Sequence, residues 1–304
     1  PVGNYTTWGG SPVFDGKVYH VFSAEMANQC SLGVWTFKSQ VIHSTSTSPT
    51  GPFTKQDVAV GPEAHNPVLS RATDGTWLLW TCGCPHAPPA GCSRDFTTCP
   101  SGSAASWTTT VYSSASLDGP WTPHVDILNG IGGPGAPGNL SQNVSPLHEP
   151  DGSVLLMFKG PDNNTEASIA YAPHWTGPYT LIHKNVFASV LAENITNEDC
   201  WWWKSTKTGY YHVLSHRMLT SNRESDVCGG HAFAANISDW HYALTPAYTT
   251  EVGLADGSTA SLERRERPQV MFDADGQPAV LFNGVVAGSG VQPFTFAQKL
   301  GGEQ

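Results

Sequence analysis

The chain has 304 residues, of which 39% are hydrophobic, 11% aromatic and only 13% charged, and it carries a formal charge of −10. With 15 Lys and Arg in all, and RRER (264–267) as the one basic cluster, nucleic acid is not an expected partner. No apolar run is long enough to cross a membrane. The acidity argues against a strongly anionic polymer as substrate. The 31 Gly and 23 Pro, among many Ser and Thr, favour short strands and turns over long helices.

Taken in chain order, one phrase recurs: an apolar run, a turn, then an apolar strand. It reads SPVFDGKVYHVF (11–22), NPVLSRATDGTWLLW (66–80), SPLHEPDGSVLLMF (145–158), DCWWWKSTKTGYYHVL (199–214) and RPQVMFDADGQPAVLF (267–282). Asp-Gly between two strand-like runs is a hairpin signal, because Gly accepts the positive φ that tight turns need. A third strand ending in small polar residues follows, as in SQVIHSTSTS (39–48), WTTTVYSSAS (107–116) and ASIAYAPH (167–174). Then comes GPFT (51–54), GPWT (119–122) or GPYT (177–180), with ISDWHYA (237–243) as a degraded copy. These corners lead into a fourth strand, and their aromatics are expected to pack between adjacent sheets. Five such units of about 60 residues predict an all-β fold, a five-bladed β-propeller with about four antiparallel strands per blade. The expected blades are 10–60, 61–130, 140–190, 195–250 and 262–304, in a single domain over 1–304. Residues 1–10 are candidates to supply the missing strand of the short fifth unit.

Cysteine usage and sequons point to a secreted glycoprotein. Four of the seven cysteines, Cys82, Cys84, Cys92 and Cys99, lie in one Pro- and Gly-rich loop. Their spacing is poor for zinc, so two disulfides pinning that loop are expected. Cys200 and Cys228 are candidates to pair across a hairpin, and the odd count leaves one thiol free or paired outside the chain. N-linked glycans are expected at Asn4, Asn139, Asn163, Asn194 and Asn236. Asn143 is a weaker acceptor because Pro146 follows its triplet. A monomer is expected.

In a propeller the first strand of each blade lines the central channel, so the residues opening those strands converge. The position before the Pro or Cys gives Ser11, Asn66, Ser145, Asp199 and Arg267. One residue earlier gives Gly10, His65, Val144, Glu198 and Glu266. Polar groups at the mouths of apolar strands are costly to bury without a purpose, which makes this ring the candidate site. Glu198, Glu266 and Asp199 are the candidate catalytic carboxyls. Glycosidic cleavage needs one acid for the leaving oxygen and one base for water. Glu266 has ion pairing with Arg265 or Arg267 as its alternative role. His65, Asn66, Ser11, Ser145, Arg265 and Arg267 are candidate substrate-binding residues. Trp8 and Trp201 are candidate sugar platforms, since the three tryptophans at 201–203 cannot all face the core of an alternating strand.

The blade phrases resemble those of the five-bladed propeller glycoside hydrolases, the family 43 clan and its family 32 relatives. SPVFDGKVYHVF is similar to their first-blade phrase and NEDCWWWKSTKTGYYHV to their fourth. The resemblance implies a glycoside hydrolase acting on arabinose- or galactose-containing cell-wall chains, with Glu198 as general acid. It also implies an Asp before the first- and third-blade Pro, where this chain has Ser11 and Ser145. Glu266, Asp199, His65 or Glu25 would then take the base role. The alternatives are a glycan-binding propeller that does not cut, or a polysaccharide lyase using His65. No cofactor is required, and the resemblance allows a calcium or sodium ion on the axis beside His65 or His231.

Overall fold

A computed structural model describes residues 5–84, 91–93, 109–125, 127–128, 131, 142–159, 167–190, 195–219, 228–254 and 256–301. The first sheet holds β1 (Thr7–Phe14), β2 (Tyr19–Met26), β3 (Ser39–Ser46) and β4 (Thr54–Val60). The second holds β5 (His65–Arg71), β6 (Trp77–Cys82), β7 (Thr109–Ser114) and β8 (Thr122–His124). The third is β9 (Gln142–His148), β10 (Val154–Lys159), β11 (Ala167–Ala172) and β12 (Thr180–His183). The fourth is β13 (Ile195–Lys204), β14 (Tyr211–Leu219), β15 (Cys228–Ala234) and β16 (Trp240–Tyr248). A small hairpin, β17 (Glu251–Gly253) with β18 (Thr259–Ser261), precedes the last sheet, β19 (Arg264–Phe272), β20 (Pro278–Val286) and β21 (Phe294–Lys299). Every pairing is antiparallel between sequence neighbours. This is the five-bladed propeller that the repeats predict, and the one α-helix among the described residues is the single turn Trp35–Lys38.

The repeated turns are what build it. Gly16, Gly75, Gly152, Gly209 and Gly276 sit at φ of 96°, 90°, 90°, 74° and 72°, where a Cβ is penalised. Gly51, Gly119 and Gly177 take φ of 88°, 79° and 86° at the corners, each before a cis proline. The corner aromatics pack between sheets. Phe53 meets Phe282 of the fifth blade at 6.0 Å between ring centroids, Trp121 meets Phe22 of the first at 5.6 Å, and Tyr179 meets Trp80 of the second at 6.4 Å. Trp240, in the degraded copy, meets Phe187 of the third blade at 5.5 Å. Each buried aromatic contributes roughly 1.5–3 kcal/mol.

Three expectations are corrected. Residues 7–10 open β1 and pair with β2, residues 1–4 of that expected strand lie outside the described residues, and among the described residues the last sheet has three strands. Closure there comes from side packing. Trp8 lies against Gly284, where no Cβ would fit, and the Thr7 amide donates to the Pro293 carbonyl at 3.1 Å. Cys92 pairs with Cys30, tying the loop after β2 to the loop after β6. Cys84 is also disulfide-bonded, whereas Cys99 lies outside the described residues. Cys200 and Cys228 are both thiols, as is Cys82. Among the described residues no helix is long and apolar enough to cross a membrane.

Candidate functional site

Each inner strand breaks its register near its start, and the break turns one residue into the left-handed region. These residues are Gly9, Asn66, Asn143, Asp199 and Arg267, at φ of 62°, 52°, 53°, 59° and 58°. Short polar residues tolerate that region. The turn throws their side chains toward the axis, where they join. Asn66 Nδ2 donates to Asn143 Oδ1 at 2.7 Å, and Asn143 Nδ2 donates to Asp199 Oδ1 at 2.8 Å. Arg267 forms an ion pair with the same Asp199 oxygen. Gly9 closes the ring, and a Cβ there would stand 3.3 Å from the Arg267 Cβ. An axial cavity of roughly 360 Å³ adjoins the ring and is lined by Pro67, Val68, Trp201 and Gln269 among others. Gln269 donates to the Pro67 carbonyl at 2.8 Å, from the fifth blade to the second.

Immediately before the left-handed residues stand Glu198 and Glu266. Glu198 lies in a cavity of roughly 190 Å³ with Phe158, Lys159 and Asp199. Lys159 Nζ, from the end of β10, donates to its Oε1 at 3.2 Å. Glu266 Oε1 accepts Arg264 Nε at 2.9 Å and Nη2 at 2.6 Å. His216 pairs across the sheet with Glu198 and brings Nε2 to 3.9 Å from Glu266 Oε1. Both His216 nitrogens and Asp199 Oδ2 are buried without a hydrogen-bond partner.

The two neighbouring carboxyls of β13 are held differently. Burial works to raise Glu198, but Arg267, Lys159 and His216 outweigh it and leave it below its ordinary value. Burial, with Glu198 and Glu266 alongside, pushes Asp199 well above the usual carboxylate range against the pull of Arg267. Burial lowers His216 against the pull of Glu266 and Glu198, and it lowers His65 further with help from Arg267. Acid–base sites separate neighbouring carboxyls in this way, and structural ion-pair networks do so too. Asp199, His216 and Glu266 also place ligand atoms within 4.8 Å of one another. They fit a metal ion poorly, because guanidinium groups already occupy Asp199 Oδ1 and Glu266 Oε1.

The fold therefore gathers Glu198, Asp199, Glu266, Asn66 and Arg267. Other candidates lie elsewhere. Ser11 Oγ accepts the Leu69 amide at 2.8 Å and Ser145 Oγ accepts the Trp202 amide at 3.2 Å, so both serines tie blades together. Arg265 is buried, bonded to Asn283, Gln298 and the Thr249 carbonyl, and stacked on Tyr248. Trp8 is buried in the seam between blades one and five. Trp201 lines the axial cavity beside Trp203 and Phe272 and is not among the residues lining the Glu198 cavity. His65 is buried, bonded to Ser39 Oγ at 2.7 Å and stacked on Trp35. His231 sits in β15 beside His212, away from the axial ring. Glu25 is buried and paired with Lys55 at 2.7 Å. Lys159, His216 and Arg264 were missed by the sequence reading. The first two end second strands, which run back to the mouth where the first strands begin, and that return was the available signal. Asn143 lies in the axial ring rather than on an open sequon. Asn236 is exposed in a turn, and Asn4, Asn139, Asn163 and Asn194 fall outside the described residues.

No family model and no curated protein matches the sequence. Solved structures do match. A thermostable family-43 glycoside hydrolase aligns with a TM-score of 0.61 at 12% identity, over 100% of this chain and 92% of that one. A family 117 glycoside hydrolase from the marine bacterium Zobellia galactanivorans gives 0.62 at 13% identity, over 97% and 84%. An α-L-arabinofuranosidase from Podospora anserina gives 0.60 at 11% identity, over 96% and 91%. The chain thus has the five-bladed propeller fold of these glycoside hydrolases, far diverged in sequence.

Proposed function

We propose that the protein is a secreted glycoside hydrolase acting on an arabinose- or galactose-containing cell-wall polysaccharide or oligosaccharide. The observation that carries this is the meeting of Glu198, Asp199 and Glu266, from two adjacent inner strands, beside Lys159, Arg264 and Arg267. Glu198 is the general acid and Glu266, held by Arg264, is the carboxylate that activates water. Asp199 sets the charge around them. As an acid, Glu198 must carry a proton, which Lys159 and Arg267 oppose. A sugar hydroxyl that draws Lys159 away removes one of those influences, and burial then favours the protonated acid. The arabinofuranosidase neighbour supports the arabinose side of the substrate class. The Cys30–Cys92 disulfide supports an oxidising compartment.

The test is Glu198→Gln, assayed for reducing ends released from arabinan, arabinogalactan and β-1,3-galactan. The expected loss is about 10²–10⁴-fold, the scale of an acid–base group, with an unchanged melting temperature. Full activity in this variant would place the chemistry elsewhere. A second reading, a glycan-binding propeller that does not cut, is favoured by one observation: Lys159 and Arg264 already neutralise both glutamates. Glycan binding by the wild type with no release would support it. The lyase reading has less support, since its candidate base His65 is buried between Ser39 and Trp35.

A further inference from the structure

Arg267 stands out among the five axial positions. Asn, Asp and Gly accept the left-handed region readily, whereas a long side chain there is held at a penalty of roughly 1–2 kcal/mol, and such outliers persist where the surroundings over-determine them. Here the surroundings do so from both sides. Gly9 leaves the space that the Arg267 stem occupies. Asp199, itself braced by Asn143 and through it by Asn66, receives the guanidinium. The guanidinium is the one fixed positive charge in the ring, in a chain with only 15 Lys and Arg. Its field reaches His65, Cys82, Glu198, Asp199 and His216, which belong to the second and fourth blades.

We infer that Arg267 is a built-in axial cation: its guanidinium takes, from within the chain, the place at the centre of the ring where a calcium or sodium ion would otherwise balance the carboxyls, and it positions Asp199 and Glu198. Arg267 touches no reacting atom on this account and is a positioning residue. Bound metal ion and guanidinium exclude each other at Asp199, whose Oδ1 is open to a dication only once Arg267 is gone, while Arg264 stays on Glu266 Oε1.

The experiment compares thermal unfolding of the wild type, Arg267→Gly and Arg267→Lys, with calcium chloride, with chelator and with millimolar guanidinium. Glycine is chosen because it relieves the left-handed backbone, so a lower melting temperature reports the lost side chain. Calcium and chelator should leave the wild type unmoved. Arg267→Gly should melt lower and regain stability with calcium or guanidinium, by mass action. Arg267→Lys, which keeps the charge without the fork, should lie between and stay insensitive to calcium. A calcium-stabilised wild type would overturn the inference, as would an Arg267→Gly protein that neither cation stabilises. Should Arg267→Gly not fold, the wild-type and Arg267→Lys responses to calcium still decide it. The activity arm alone rests on the hydrolase reading: Arg267→Gly should lose about 10- to 100-fold, the scale for an outer-shell partner, and its pH–rate profile should move to higher pH. Guanidinium should restore both. A chain that cuts no glycan would remove this arm and leave the melting arms standing.

Discussion

Blades one and two differ from blades four and five at one equivalent position, the residue before the left-handed turn. Trp8 and His65 fill it on one side of the axis, Glu198 and Glu266 on the other. Trp8 pairs with Ala24 and His65 with Cys82, and both rings are buried as wall. Glu198 pairs with His216 and Glu266 with Gly284, and both carboxyls meet cationic groups instead. The same strand geometry therefore builds a wall or a reactive edge, and what differs is the cation each carboxyl meets, Lys159 from the neighbouring blade and Arg264 from the same strand.

Substitutions on the two sides should therefore fail in opposite ways. Glu266→Gln should reduce glycan release about 10²–10⁴-fold while leaving urea unfolding unchanged; a large loss of stability would make Glu266 a wall residue too. Trp8→Ala should do the reverse and destabilise by about 3–5 kcal/mol, read from the urea midpoint. A smaller effect is expected at His148, the last residue of β9, whose Nε2 meets Ser70 Oγ of the second blade at 3.0 Å. Burial lowers His148 from 6.5 to about 4, so the unfolded chain takes up its proton first as pH falls. The stability it protects is complete above about pH 6.5 and drains away toward pH 4, worth about 2–3 kcal/mol at most. His148→Gln should flatten that part of a stability-against-pH curve, and an unchanged slope would refute the assignment. Ser145→Ala leaves the buried Trp202 amide without its acceptor and should remove about 1–3 kcal/mol with catalysis intact. The smallest change is expected from Lys159→Met, which removes one of the groups holding Glu198 down. The pH–rate profile should move up by about one unit or less, and a downward move would contradict the pairing.

The architecture was legible because turns repeat: five glycines at hairpin tips and three Gly-Pro corners fix where strands end, and periodicity does the rest. The site was legible only in part. Counting from the Pro or Cys aligned Ser11 and Ser145 with Asn66, Asp199 and Arg267. The register breaks instead align Gly9 and Asn143 with them. The proline follows the left-handed residue by one position at Pro67 and Pro268 but by three at Pro12 and Pro146, and the bulge that sets the left-handed residue carries no sequence mark of its own, so counting from the proline selects two serines that face a neighbouring blade. Lys159 and His216 were hidden for a different reason. They belong to second strands, and their placement depends on which strand ends return to the mouth. Disulfide partners were not readable from spacing, since Cys30 is distant in sequence from the loop that holds Cys92.

The corner aromatics all point one way. Trp121, Tyr179 and Trp240 each clasp the blade before their own. A chain leaving the ribosome therefore presents each of these three corners with a dock already in place. Phe53 alone has to wait, because its dock at Phe282 is among the last parts to be synthesised. Vectorial synthesis can thus assemble the wedges in series, and the final blade is the one that locks the first.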